Sequence, residues 1–306
     1  MKRSPNAPLR VSIITPATDL AKYLDEAIAS VERSEAVEIE HIVIHDGNPA
    51  FAEALRNRYP HLTVMMGSGK GATPAVAAAF ARASGDFLLE LNSDDRLVAG
   101  CIERLRLAVQ KSPSIRVWSG GVRVFAQDAA GRESVVRDVI TRAETVLTLA
   151  NVLDDLPLLN ARFIHRTVFE QVGNLDPRFP FSSDREFLIR VAFAGVAEAD
   201  LGTMVQELRE HSESLTINRR RRWVPPYLAE HIEIADFWLG QAWLAPDRRR
   251  AFRNWRAREQ LRLAKWQWQA GEVGRALATI AGAQQADPLW FVRAATSIAA
   301  WSRRRR

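Results

Sequence analysis

Residues 85–95, with the sequence GDFLLELNSDD, decide the fold of this chain. A short apolar run of strand length ends here in two adjacent aspartates, Asp94 and Asp95. In open α/β sheets, ligands bind outside the carboxyl ends of the strands. The position of the two aspartates therefore predicts that they face a ligand.

The segments around this stretch alternate between short β-rich runs and helical patterns. Predicted strands cover residues 11–15, 39–44, 62–66 and 86–91, and predicted helices cover residues 20–32, 50–59, 75–83 and 98–111. Such alternation is typical of an open, mostly parallel sheet that is flanked by helices. We therefore expect an α/β, Rossmann-like fold in the first part of the chain.

The adjacent aspartates also suggest a cation. Like charges a few Å apart disfavour each other unless a cation, water or hydrogen-bond donors compensate. Mg²⁺ and Mn²⁺ prefer oxygen ligands, and they commonly bind one or two carboxylates together with substrate phosphates. A metal-bound diphosphate fits this chemistry. The alternative is that residues 93–95 only cap the helix that is predicted from residue 98.

Charge and tryptophan content divide the chain into two regions. Residues 1–218 carry 24 Lys and Arg against 29 Asp and Glu, a net charge of −5, whereas residues 219–306 carry 18 against 7, a net charge of +11. Eight of the nine tryptophans lie after residue 218. We predict an α/β domain over residues 1–218 and a basic, Trp-rich helical region over residues 219–306. Its predicted helices cover residues 226–244, 247–270, 273–285 and 289–301.

Composition excludes several classes of protein. The chain is 47% hydrophobic and 25% charged, as in ordinary globular proteins. No apolar stretch reaches the ~18 residues of a membrane-spanning helix, and no signal-peptide pattern is present. The single cysteine, Cys101, cannot form an internal disulfide. We therefore expect a cytoplasmic protein.

Several segments, taken in order along the chain, carry a further signal. They are VSIITP at residues 11–16, IVIHDG at 42–47, GDFLLELNSDD at 85–95, FIHRTVFEQVG at 163–173 followed by SDREF at 183–187, and HSESLT at 211–216. Together they resemble glycosyltransferase family 2, whose members are inverting enzymes with the GT-A fold, and HSESLT is similar to a motif near the end of many members.

The resemblance implies transfer of a sugar from a UDP-, GDP- or dTDP-sugar to a hydroxyl group of a polysaccharide, glycolipid or similar acceptor. It implies a divalent metal, Mn²⁺ or Mg²⁺, which Asp95 and His211 would bind. Asp184 would be the catalytic base. Asp46 would contact the nucleotide base, and Asp94 would help to seat the nucleotide.

Three more nucleotide-binding candidates follow from the same resemblance. Thr15 and Pro16 end the first predicted strand. Lys70 lies in the loop GKGATPAVA at residues 69–77, which in the family often reads D-K-G-x-x-D-A-x-N. The loss of two acidic positions and the asparagine leaves the donor undefined. Lys70 either meets a phosphate as a point charge or is a solvated loop lysine.

Asp184 also has two interpretations. The carboxylate precedes a predicted apolar helix over residues 187–194, where the helix dipole favours an anion. It would serve there either as the base that deprotonates an acceptor hydroxyl or as a helix N-cap.

The basic region, residues 219–306, does not by itself identify a binding partner. Arginine runs at residues 219–222, 248–250 and 303–306, interleaved with tryptophans, suit an anionic membrane surface. The alternative is a solvated basic face with core tryptophans. Arginine and tryptophan also occur together in nucleic-acid-binding proteins, but the ordered motifs argue against a nucleic-acid partner.

The altered loop at residues 69–77 leaves room for a third hypothesis, a catalytically inactive module that binds sugar nucleotides.

Overall fold

The chain folds into two compact units. In this computed structural model, the first unit comprises residues 1–147 and 157–217, and the second comprises residues 148–156 and 218–306. The predicted division at residue 218, the arginines at 219–222 and most of the HSESLT segment lie outside the described residues. The structure describes residues 8–17, 22–32, 37–128, 130–139, 146–154, 159–211 and 224–304.

A single sheet forms the centre of the first unit. Within the described residues its strands are β1 (Arg10–Ala17), β2 (Glu38–His45), β3 (Thr63–Met66), β4 (Phe87–Glu90), β5 (Arg96–Leu97), β6 (Val117–Gln127), β7 (Glu133–Val139), β8 (Arg162–His165) and β9 (Glu198–Glu210). Their order is β3-β2-β1-β4-β8-β6-β9-β5, and β7 pairs with β6.

The strands β3, β2, β1 and β4 run parallel to one another. β8 lies between β4 and β6 and is antiparallel to both, whereas β9 is parallel to β6. Because parallel neighbours end at the same edge, the residues that follow β1, β2 and β4 come together there. The expected α/β, Rossmann-like fold is confirmed.

Helices flank this sheet and build the second unit. They are α1 (Leu24–Glu32), α2 (Pro49–Arg58), α3 (Ala72–Arg82), α4 (Cys101–Lys111), α5 (Leu149–Leu153), α6 (Arg166–Val172), α7 (Ser183–Ala194), α8 (Val224–Leu239), α9 (Pro246–Gln269), α10 (Val273–Ala286) and α11 (Trp290–Arg304). Alternate residues of a strand face opposite sides of the sheet. Ile13, Leu89 and Ile102 therefore join one buried cluster, and Ile28 and Val43 join another.

The helix after the aspartate pair begins later than the sequence predicts. α4 starts at Cys101, and Gly100 precedes it with a φ of 80°. Arg96 and Leu97 form strand β5 instead and pair with β9. The hypothesis that residues 93–95 cap this helix is therefore wrong.

The second unit is built around α9, against which α8, α10 and α11 pack. The buried side chains of Phe252 and Trp255 lie on α9, and Trp290 packs with alanines of α9, α10 and α11. Arg258 binds Asp154, which follows α5, at 2.7 Å. No helix in the described parts of the chain is long and apolar enough to cross a membrane.

Candidate functional site

The candidate residues gather at the edge where the parallel strands β2, β1 and β4 end. Thr15 and Pro16 lie near the end of β1, Asp46 follows β2, and the pair Asp94 and Asp95 follows β4. This edge is where α/β sheets bind ligands. The fold thus assembles residues that are far apart in the sequence.

Asp94 and Asp95 are linked to β9. The Oδ2 atom of Asp94 lies 3.0 Å from Nε2 of His211, which directly follows β9. The backbone N–H of Arg209 donates to Oδ1 of Asp95 at 2.9 Å, and the Asn92 amide donates to its Oδ2 at 3.1 Å. The structure therefore brings together both aspartates and the predicted histidine.

The aspartate pair suits a cation. Asp95 is 4% exposed, and burial together with the charge of Asp94 raises the pKa of Asp95 to about 7. A divalent cation would favour the ionised form instead. Oδ1 and Oδ2 of Asp95 each accept a hydrogen bond, and a carboxylate oxygen can accept more than one.

Among the described residues, the side chains around the aspartate pair could supply only part of a metal coordination shell. Within the residues that the structure describes, no three His, Cys, Asp or Glu side chains form a group able to hold a metal ion. Mg²⁺ in particular is usually held by one or two carboxylates, with substrate phosphates and water as the remaining ligands. The donors around Asp94 and Asp95 fit such a partial site.

The Asp46 carboxylate, in the loop after β2, organises the loop after β3 that contains Lys70. The backbone N–H groups of Gly69 and Gly71 donate to its Oδ1 and Oδ2 at 2.7 and 2.5 Å. Both glycines have positive φ, 73° and 103°, a conformation that costs glycine little. Gly71 immediately precedes α3, so Asp46 fixes the entry to that helix and leaves Lys70 exposed.

The Thr15 hydroxyl is used inside the protein. Its Oγ1 lies 2.9 Å from Nε2 of the buried His41. Burial lowers the pKa of His41 to about 3, so its imidazole is neutral at physiological pH. Pro16 is only partly buried. Of the two residues predicted at the end of β1, Pro16 thus offers the more accessible surface to a nucleotide.

Asp184 lies in the first turn of α7 rather than before it. The N-cap is Ser182, and Oδ1 of Asp184 accepts a hydrogen bond from the adjacent Arg185 N–H at 2.7 Å. The N-cap interpretation of Asp184 is therefore wrong. Burial, and then the charge of Asp184, raise the pKa of Glu90 to about 7. The neighbouring Ser183 has its Oγ 3.3 Å from Oγ1 of Thr73, so the start of α7 lies beside the first turn of α3.

Sequence reasoning missed Glu90 and Arg209. The signal for Glu90 is a single carboxylate in the otherwise apolar strand FLLE. The signal for Arg209 is its spacing of two from His211, since alternate residues of a strand share a face. Both signals become meaningful only when the neighbouring strands are known.

A family model and a curated protein both relate this chain to glycosyltransferases. Residues 12–141 match the model of the family described as Glycosyl transferase family 2. The chain is 25% identical over 224 residues to EpsJ, a glycosyltransferase of Bacillus subtilis. That match covers 67% of this chain and 62% of EpsJ, so it spans less than two thirds of the relative's length.

Solved structures share the fold at low sequence identity. The fragment 1–349 of Staphylococcus aureus TarS in complex with UDP-GlcNAc superposes with a TM-score of 0.58 at 15% identity, covering 84% of this chain and 71% of that one. The mannosyltransferase PcManGT of Pyrobaculum calidifontis, in complex with GDP-Man and Mn²⁺, gives 0.55 at 15% identity, with 98% and 89% covered. At this identity the likeness establishes the fold.

Proposed function

We propose that this chain, whose residues 12–141 match the model of glycosyl transferase family 2, transfers a sugar from a nucleotide-diphosphate sugar to a hydroxyl acceptor. The observation that carries the proposal is the grouping of Asp94, Asp95 and His211 at the carboxyl edge of the parallel strands. Two proteins of similar fold have been solved in complex with nucleotide sugars, which supports a donor of this class.

The reaction is a single displacement at the anomeric carbon. Asp184 accepts the proton of the acceptor hydroxyl while its oxygen forms the new glycosidic bond. The bond between the anomeric carbon and the phosphate oxygen breaks, the nucleotide diphosphate leaves with that electron pair, and the sugar configuration inverts. The first turn of α7 favours the negative charge of Asp184.

The diphosphate site combines Asp94, Asp95, His211 and the loop with Lys70. We assign the metal contact to Asp95 and His211, with Asp94 beside them. A divalent ion bound there would neutralise charge on the leaving diphosphate. We assign Lys70, which is exposed on its loop, to a phosphate, and Asp46 and Pro16 to the nucleoside.

Nucleotide binding separates the proposed enzyme from its alternatives. Calorimetry with UDP and GDP, with and without Mn²⁺, is followed by hydrolysis assays over a panel of UDP-, GDP- and dTDP-sugars. We expect metal-dependent binding and hydrolysis of at least one donor. Binding without hydrolysis, or without transfer to any acceptor, would favour the inactive module. Binding of single-stranded oligonucleotides in place of nucleotides would favour a nucleic-acid-binding protein.

Asp46→Ala is expected to weaken nucleotide binding without abolishing its dependence on metal. The change removes the acceptors for Gly69 and Gly71, so the loop that carries Lys70 loses its fixed shape. Calorimetry measures the affinity, and hydrogen exchange should show faster exchange at the two glycine amides. Asp128→Ala, an exposed turn carboxylate of the same unit, is the control. Equal nucleotide affinity in Asp46→Ala and the parent would remove Asp46 from the site.

We further propose that the acceptor is a cell-envelope glycan or glycolipid and that the chain contacts an anionic membrane from the cytoplasmic side. The support for the membrane contact is the +11 charge of residues 219–306 together with exposed aromatic side chains in the second unit. Phe291 on α11 is 62% exposed, and Trp268 on α9 is 58% exposed. Basic residues near such a surface contribute about 1 kcal/mol each.

Vesicle sedimentation tests this contact. We expect the chain to bind phosphatidylcholine vesicles that contain phosphatidylserine, to bind less at high salt because charges are screened, and to bind weakly without phosphatidylserine. Phe291→Ser should reduce binding, whereas Val135→Ser, a similarly exposed change on β7, should not. Equal sedimentation with both vesicle types would contradict the proposed membrane contact.

A further inference from the structure

Arg209 is a buried arginine at the centre of the candidate site. Its side chain is 1% exposed, although it lies on β9 only two residues before His211. Burial of a charged group is unfavourable unless the group is paired and hydrogen-bonded. The contacts of this guanidinium therefore indicate what it stabilises.

Arg209 contacts both members of the aspartate pair. Its backbone N–H donates to Oδ1 of Asp95 at 2.9 Å, and its Nε donates to the backbone carbonyl of Asp94 at 3.1 Å. One residue thus holds the side chain of one aspartate and the main chain of the other. The loop is therefore tied to β9 at two adjacent residues.

The remaining donors of the guanidinium anchor it to other elements. Nη1 donates to Oε1 of Gln127 on β6 at 2.5 Å, and Nη2 donates to Oε2 of Glu26 on α1 at 2.6 Å. These hydrogen bonds leave the guanidinium in different directions within one plane. A planar guanidinium can donate in this arrangement, whereas an ammonium group cannot. Arg209 is therefore fixed by three separate parts of the fold.

Two aromatic rings further restrict the guanidinium. Its central carbon lies 4.0 Å from the centroid of the Tyr23 ring and 4.6 Å from that of Phe125. The Tyr23 ring also lies 5.6 Å from the imidazole of His211, measured between centroids. The same tyrosine thus packs beside both the arginine and the histidine.

We propose that Arg209 is a positioning residue for the divalent metal, which it serves by holding the Asp94–Asp95 loop in a conformation that presents oxygen ligands. This inference rests on the proposed function. It assigns to Arg209 no contact with metal or substrate. Arg209 would act through the Asp94–Asp95 loop, so its replacement should change how nucleotide binding depends on the metal concentration.

Arg209→Lys tests the proposal by keeping the charge and removing the planar set of donors. The measurement is the binding of UDP or GDP, whichever the parent binds, over a titration of Mn²⁺. We expect the half-saturating Mn²⁺ concentration to rise about 10- to 100-fold, the loss typical of removing an outer-shell partner. Nucleotide affinity at saturating Mn²⁺ should change much less.

A matched control and a second variant keep the test decisive. Arg162→Lys alters another buried arginine of the same unit, which binds Ser119 and Glu198 near the starts of β6 and β9, at the other end of these strands from Gln127 and Arg209, and should leave the Mn²⁺ dependence unchanged. Glu26→Gln removes the charge opposite Nη2 at a half-exposed position on α1 and keeps an oxygen that can accept the hydrogen bond from Arg209. It should shift the Mn²⁺ dependence in the same direction by a smaller factor.

The outcomes separate this inference from the function on which it rests. A parent that binds no nucleotide at any Mn²⁺ concentration overturns both. A parent with Mn²⁺-dependent binding, shared unchanged by Arg209→Lys and Glu26→Gln, overturns only the role of Arg209. The role of Arg209 is also overturned if Arg209→Lys loses nucleotide affinity equally with and without Mn²⁺, because a purely structural role would give that result. If Arg209→Lys does not fold, Glu26→Gln decides.

Discussion

Asp184→Asn is expected to lower kcat by about 10²–10⁴, the range typical for removal of a general base. Asparagine keeps the shape of the side chain and an oxygen able to accept the hydrogen bond from the Arg185 N–H. It cannot take a proton from the acceptor hydroxyl. The melting temperature and the affinity for nucleotide should stay close to those of the parent, because the lost function belongs to the transition state.

The neighbouring carboxylates provide the controls for this experiment. Asp176 is paired with Arg178 at 2.6 Å and Glu186 with Arg190 at 2.8 Å, so both are committed to ion pairs. Asp176→Asn should therefore leave kcat nearly unchanged. Turnover is measured at saturating donor and acceptor, under conditions in which chemistry limits the rate.

A different base would reveal itself in the same assay. If Asp184→Asn kept most of its turnover, Asp184 would be structural. The carboxylate to examine next would be Glu90, because it lies close enough for the charge of Asp184 to raise its pKa. Glu90→Gln would then carry the loss in kcat that Asp184→Asn failed to show.

Asp95→Asn should abolish most metal-dependent nucleotide binding, with a loss in affinity beyond the 10- to 100-fold that outer-shell changes produce. Calorimetry with Mn²⁺ and UDP or GDP measures the effect. Asparagine is preferred to alanine because Asp95 is buried, and its Oδ1 accepts the Arg209 N–H. Alanine would leave that donor without its acceptor, and loss of stability would obscure the loss of metal.

Stability provides the internal check on this variant. Burial raises the pKa of Asp95 to about 7, above its value in an unfolded chain, so the folded protein holds a proton that the unfolded chain releases at lower pH. In the absence of metal, the contribution of the Asp95 carboxyl group to the free energy of unfolding therefore falls as the pH rises from about 4 to 7. Asp95→Asn should therefore melt no lower than the metal-free parent at pH 8. Unchanged Mn²⁺-dependent affinity in a folded variant would refute the metal assignment.

Local sequence patterns were enough to predict most elements of the fold. The periodicity of apolar residues depends on neighbours within one turn or one strand, and it placed α9 and α10 within a few residues of their observed bounds. The start of α4 was missed because β5 interrupts the loop before it. β5 exists only by pairing with β9, more than 100 residues away in the sequence, and no local pattern reports such a pair.

Part of the candidate site can likewise be predicted from local sequence, and part depends on contacts between distant segments. The aspartate pair and His211 could be singled out because they lie in ordered motifs. The use of the Thr15 hydroxyl by His41 depends on the register of β1 against β2, which the sequence alone leaves open. The roles of Arg209 and Glu90 likewise depend on which strands and helices face them. Composition and spacing identify candidate ligands, but not the groups that hold them in place.

The bond between Asp46 and the two glycine amides also constrains how this protein can evolve. A substitution at Asp46 leaves two backbone donors without acceptors, and a side chain at Gly69 or Gly71 must adopt a positive φ that it disfavours. None of the three changes is tolerated alone at low cost. Descendants of this sequence should therefore retain the three residues as a set or replace the whole loop, so substitutions at these positions should covary.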